Sequence, residues 1–248
     1  MRFTWEPHPT TVGTEPIWWW NAKDLASGAV ASWISREGNA LNLANGTSNE
    51  RPNCNLTGYN GKPCVEFDGV NDSLTASISY TGVQLTMFMV IKNNSSGSSL
   101  NPNAASLYNT TLPHDFDNMG TMTYGEKPPY WLDLHPTATG WLRGLGQTNR
   151  SDADVTNSDT QQIICLTVSD TEFKVYINGD SATDADASQG DNWNINRMTL
   201  GKRRVSSSLI LPNQYEVSEV LAYDEGFSTK QVEGLFGYFY NEWGITRP

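Results

Sequence analysis

Apolar residues in this chain mostly recur at every second position or in short continuous runs, and one stretch near the C-terminus shows clear helical spacing. That stretch begins at Ser228, which suits an N-cap, and Gln231 three residues on completes the pattern of a capping box. Val232, Leu235, Phe236, Phe239 and Trp243 follow on one face, and Gly244 stands where a left-handed residue can end a helix. The spacing predicts a helix over Thr229–Trp243 whose apolar face must be covered. Just before it, Val217, Val220, Leu221 and Tyr223 in EVSEVLAYD form a β-rich run stopped by Asp224, Glu225 and Gly226, so a sheet is the natural surface for the helix.

The rest of the pattern reads as strands and turns. In Pro16–Asn21, a strand would send Trp18 and Trp20 to one face and Trp19 to the other, so both faces should be covered. Asn60-Gly61 is a hairpin signal, Gly69 parts the following strand from the next, and LTMFMVI over Leu85–Ile91 is apolar on both faces, as a central strand should be. Further strands are expected near Met122–Glu126, Tyr130–His135, Trp141–Leu145, Gln162–Val168, Glu172–Asn178 and Met198–Lys202, with Asn178-Gly179 closing a second hairpin. The polar stretches Asn93–Asn103 and Asn149–Thr160 read as long loops. The expected fold is all-β: a two-sheet antiparallel sandwich of jelly-roll type with one amphipathic C-terminal helix packed on it. Residues 1–15, Pro-rich and without a core of their own, are expected to form an arm outside a single domain over 16–248.

Composition narrows the partners. A net charge of -11 over 248 residues, without a basic run interleaved with aromatics, excludes a nucleic-acid surface. The one basic cluster, Lys202, Arg203 and Arg204, reads as a solvated strand end. No apolar run is long enough to span a bilayer, so membrane insertion is not expected, and the start MRFTWEPHPTTVGTEP lacks the apolar core of a secretory signal. Synthesis in a cytoplasm is the expectation. Of the three cysteines, Cys165 lies in an apolar strand, while Cys54 and Cys64 flank the turn LTGYNGKP and leave a hairpin disulfide open.

Four pieces carry a family likeness: the start PIWWWNAKD with SWISREGNALNLANG, NGKPCVEFDGVNDSL, FKVYINGD, and VSEVLAYDEGFSTKQVEGLFGYFYNEWG. Together they resemble the concanavalin A-like lectin/glucanase superfamily, and within it the LamG-like jelly-roll branch. The resemblance implies the sandwich but not an activity, since this fold hosts lectins, hydrolases and structural modules.

Some relatives cleave glucans with carboxylates spaced E-x-D-x-x-E on one strand. Glu66 and Asp68 occupy the first two places, but Asn71 stands third and cannot donate a proton, so FDGVND reads as a structural turn in which Asp68 and Asp72 serve as caps. Glu216 and Glu219 are a second pair whose odd spacing sends them to opposite faces of a regular strand. His8, His114 and His135 have no nucleophile motif around them, and no catalytic residue is expected. For calcium, which would be an optional rather than a required cofactor, the candidates are Asp115, Asp117 and Glu126, spaced as in an oxygen-rich loop around Gly120, and an acidic loop with Asp152, Asp154 and Asp159. For a sugar, Trp193 between Asp191, Asn192 and Asn194 offers a stacking face with bonding groups, and Tyr130 and Trp131 are second choices beside Trp141. The resemblance, combined with the missing secretory signal, implies a non-enzymatic virion structural protein of a tailed phage, a capsid decoration or tail appendage. Its partners would be other virion proteins, further copies of itself and host or environmental glycans. A cellular or extracellular lectin is the alternative, and a glycan hydrolase the third.

Overall fold

The computed structural model describes residues 8–37, 41–94, 103–108, 130–134, 140–145, 150–155, 160–168, 172–186, 193–205, 208–210 and 214–247. In chain order the strands are β1 (Trp18–Asn21), β2 (Gly28–Ala29), β3 (Ser32–Ile34), β4 (Asn42–Ala44), β5 (Asn53–Asn55), β6 (Cys64–Asp68), β7 (Leu74–Gly82), β8 (Leu85–Asn93), β9 (Asn103–Tyr108) and β10 (Tyr130–Leu134). They continue as β11 (Gly140–Leu145), β12 (Arg150–Val155), β13 (Gln162–Val168), β14 (Glu172–Ile177), β15 (Asp180–Asp186), β16 (Trp193–Leu200), β17 (Arg203–Val205), β18 (Ser208–Ile210) and β19 (Gln214–Tyr223), followed by helix α1 (Thr229–Trp243).

Two antiparallel sheets form the sandwich. The first runs β15-β14-β13-β8-β19-β6-β5-β2, with β1 also paired to β19, and the second runs β12-β11-β10-β9-β16-β7-β4-β3. Strand β19 is the organiser of the first sheet: one edge pairs with β8 along its length, and the other is shared by β6 at its start and β1 at its end. Trp18 and Trp20 enter the core between the sheets with Val217, Val220 and Ala222, whereas Trp19 joins Phe88, Leu221, Tyr223 and the helix on the outer face. The WWW run thus splits its rings between two cores, as strand alternation requires.

Helix α1 covers that outer face with Val232, Leu235, Phe236, Phe239 and Trp243, and also buries Tyr238. The Ser228 side chain accepts from the Gln231 N–H, and the Gln231 side chain accepts from the Ser228 N–H at 3.0 Å. At the other end Gly244 is left-handed, with φ of 64°. There the Asn60-Gly61 turn has a second use: Asn60 Nδ2 donates to the Trp243 and Gly244 carbonyls at 3.2 and 2.9 Å, and Lys62 Nζ donates to the Glu242 carbonyl at 2.9 Å. One hairpin turn therefore satisfies carbonyls at the negative end of the helix.

Residues 8–12, within the segment expected as an arm, lie on this same outer face. The His8 ring meets Trp19 edge-on at 5.3 Å, the Tyr223 hydroxyl donates to the Pro9 carbonyl at 3.0 Å, and Val12 packs on the outer cluster.

Three expectations need correction. Residues 150–155 form β12, the edge strand of the second sheet, rather than part of a loop, with Asp152 opposite Arg143 and Asp154 opposite Trp141. Their polarity reflects an edge position. Second, Glu216 and Glu219 share a face, because β19 carries an extra residue between Val217 and Glu219 that resets the alternation. Third, Cys54 pairs with Val65 while Cys64 pairs with Asn55, so the two thiols sit on opposite faces of the hairpin and are free. All three thiols are buried, and burial raises each above its ordinary pKa. The native protein is expected to react with none of its thiols against a thiol reagent at pH 8 and with three after denaturation. Fewer than three on denaturation would show that a disulfide exists.

Candidate functional site

A cleft of about 850 Å³ opens at one end of the sandwich where β7 of the second sheet turns into β8 of the first. Its walls come from distant segments: Thr14–Ile17 entering β1, Ser79–Gln84 around the β7–β8 turn, Leu41 before β4, and Asp224 just after β19. The Ile17 N–H bonds the Ala222 carbonyl at 2.8 Å, which fastens the N-terminal wall to the sheet. Trp18 and Tyr80 form the aromatic part of the lining, with rings edge to face at 6.2 Å. The Tyr80 hydroxyl donates to the Gln84 carbonyl and so closes the turn. Gly82 leaves room for it, since a Cβ there would lie 2.5 Å from that hydroxyl oxygen. Burial, with the nearby Asp224 charge adding to it, pushes the Tyr80 pKa up to about 12, so the phenol stays protonated across the physiological range.

The described polar residues of the lining are Thr14, Ser79, Thr81, Gln84 and two exposed carboxylates, Glu15 and Asp224. Among the described lining residues there is no Lys, Arg, His or Cys. Trp18 and Tyr80 are nearly buried, at 3% and 7% exposure, and form the floor of the cleft, while the exposed carboxylates above them suit a polyhydroxylated ligand whose hydroxyls donate to them.

The sugar candidates divide. Trp193 and Asn194 open β16 and stand opposite Gly82 and Thr81, so their backbone adjoins the cleft wall. Asp191 and Asn192 lie outside the described residues. Tyr130 and Trp131 pair through Leu107 and Ser106 with Met198 and Thr199, five residues further along β16, about 17 Å at strand rise. They belong to a different part of the second sheet. Of the calcium candidates, Asp115, Asp117, Glu126 and Asp159 lie outside the described residues, and Asp152 and Asp154 are on β12. Among the described residues no group of three or more His, Cys, Asp or Glu could hold a metal ion.

The carboxylates weighed for catalysis are engaged elsewhere. Asp68 Oδ1 accepts from the Val70 and Asn71 N–H groups at 2.8 and 3.2 Å, and Asp72 Oδ2 accepts from the Asp68 N–H at 2.9 Å, which makes FDGVND a self-capped turn. Glu66 accepts from Asn55 at 2.7 Å, and Glu216, opposite it across the strands, accepts from Lys92 at 3.2 Å and Asn94 at 2.8 Å. Lys202, from the basic cluster, pairs with Glu50 at 2.9 Å. No local motif joins Glu15, Tyr80 and Asp224, and the alternation of the WWW run marks Trp18 only as a core residue.

The chain is thus a two-layer antiparallel β-sandwich with this cleft at one end. No family model matches the chain, and no curated protein matches it in sequence. Solved structures do match in fold. Domain 4 of AbnA, a GH43 extracellular arabinanase from Geobacillus stearothermophilus solved with arabinotriose, aligns at a TM-score of 0.55 and 14% identity over 89% of this chain and 97% of that one. The binding domain of botulinum neurotoxin serotype G aligns at 0.55 and 11% identity, over 90% of this chain and 50% of that one. Trypanosoma rangeli sialidase in complex with sialic acid aligns at 0.58 and 14% identity, over 92% of this chain and a third (33%) of that one. At such identities the likeness is one of fold.

Proposed function

We propose that this chain is a non-catalytic, glycan-binding module that takes an oligosaccharide in the cleft between Trp18, Tyr80 and the exposed carboxylates Glu15 and Asp224. The observation that carries this reading is the composition of the cleft: a floor of two aromatic rings beside three hydroxyl-bearing residues and two exposed carboxylates. One similar fold, the arabinanase domain, was solved in complex with arabinotriose and is matched over 97% of its length, which supports the same use of the sandwich here. No cofactor is part of this reading. The virion setting implied by the family resemblance rests on the sequence alone.

Thr81 is exposed on the cleft wall, so Thr81→Trp places an indole in the opening without touching the core. On a glycan array followed by calorimetry, the native chain is expected to bind oligosaccharides. Thr81→Trp should weaken them at least about tenfold with an unchanged melting temperature. Undiminished binding by Thr81→Trp would move the site away from this cleft.

A further inference from the structure

We infer, resting on the glycan-binding reading, that the cleft selects uncharged oligosaccharides and rejects acidic ones such as sialylated or uronate-containing chains. Among the described lining residues Glu15 and Asp224 are the only carboxylic acids, both are exposed, and no basic side chain stands beside them. Neither makes an ion pair among the described residues. Tyr80 would be the natural neutral donor to an anion, but its proton is committed to the Gln84 carbonyl. Thr14, Ser79 and Thr81 can donate, yet a hydroxyl is a weak partner for a carboxylate compared with an arginine fork. An incoming acidic sugar would therefore meet two like charges with no cation to offset them, within a chain of net charge -11. Vicinal hydroxyls of an uncharged sugar, in contrast, are donors to which a carboxylate presents several lone pairs.

The test compares matched probes by calorimetry at low salt: lactose against 3′-sialyllactose, and a galactose trimer against a galacturonic acid trimer. The acidic member of each pair is expected to bind about tenfold more weakly or not at all, with the gap closing in 0.5 M NaCl as the charges are screened. The double variant Glu15→Gln, Asp224→Asn, which alters two exposed groups, should narrow the gap by admitting the acidic probes. Acidic probes that bind the native chain as tightly as their uncharged partners, and lose binding in Thr81→Trp, would overturn this selectivity while leaving the glycan site standing. If neither kind of probe binds, and a wider glycan array is also blank, the glycan-binding reading itself fails and the selectivity with it.

Discussion

Replacing Glu219 by Ala is expected to cost the fold about 3–5 kcal/mol, the range for breaking up a buried charge network. Glu219 is wholly buried, and its carboxylate gathers two layers of structure. Oε1 accepts from the Trp19 indole at 2.6 Å, from Asn21 at 2.9 Å and from the Tyr238 hydroxyl at 2.9 Å, while Oε2 accepts from the Trp243 indole at 2.6 Å. Two of these donors belong to β1 and two to α1, so one side chain of β19 ties the first strand and the last helix to the sheet. Alanine would leave four buried donors without their acceptor, each costing about 1–3 kcal/mol before relaxation. Glu219→Gln keeps one oxygen but turns an N–H towards a donor, and about 2 kcal/mol is the expected cost. Urea unfolding measures both, and a change under 1 kcal/mol for alanine would deny the carboxylate this role.

The same residue sets a pH dependence. Burial raises the Glu219 pKa, and the four hydrogen bonds only partly oppose it. The folded chain thus holds this proton more tightly than the unfolded chain does. The stability contributed by that linkage is fully present below the ordinary carboxylate pKa and is lost as pH rises through the raised folded value. The stability of the native chain minus that of Glu219→Gln should therefore be larger at pH 4 than at pH 7. An advantage that grows towards neutrality would mean that the hydrogen bonds outweigh burial.

The second large effect is expected at Gly201, where Gly201→Ala should cost at least about 3 kcal/mol by combining backbone strain with a steric clash. Gly201 follows β16 with φ of +87°, and a Cβ there would lie 2.5 Å from both the Asp72 carbonyl and Phe67 Cδ1. Phe67 has nowhere to go, since it stacks on Tyr215 at 4.7 Å and 8° within the inter-sheet core. The Gly201 N–H donates to the Tyr215 hydroxyl at 2.7 Å, so this glycine fastens the end of the second sheet onto two strands of the first. Gly28→Ala is the control: its φ is +113° but nothing lies within 4 Å of the new Cβ, so only the strain of about 1 kcal/mol should register. Equal thermal shifts for the two variants would show that close packing at Gly201 contributes nothing.

What could be read in the chain was what neighbours in sequence decide. Ser228, Gln231 and Gly244 delimit the helix through contacts within a few residues, and the WWW run splits between faces because alternation is a property of the strand itself. The Asn60-Gly61 and Asn178-Gly179 turns follow equally from positive φ at those positions. Strands β12 and β15 were harder to see because edge strands need no apolar alternation, and their pairing comes from the neighbour they meet. Trp193 was picked out by its polar surroundings, and its strand does border the cleft at Gly82.

The sequence by itself thus determined the sandwich, its covering helix and the division of rings between two cores, because periodicity and capping act over a few residues. Only the tertiary structure decided that a one-residue bulge turns Glu219 towards the helix, that Cys54 and Cys64 face apart, and that Glu15, Trp18, Tyr80 and Asp224 share one cleft. Those outcomes depend on strand register and on contacts between residues far apart in the chain, two hundred positions between Trp19 and Glu219, and no local pattern encodes them.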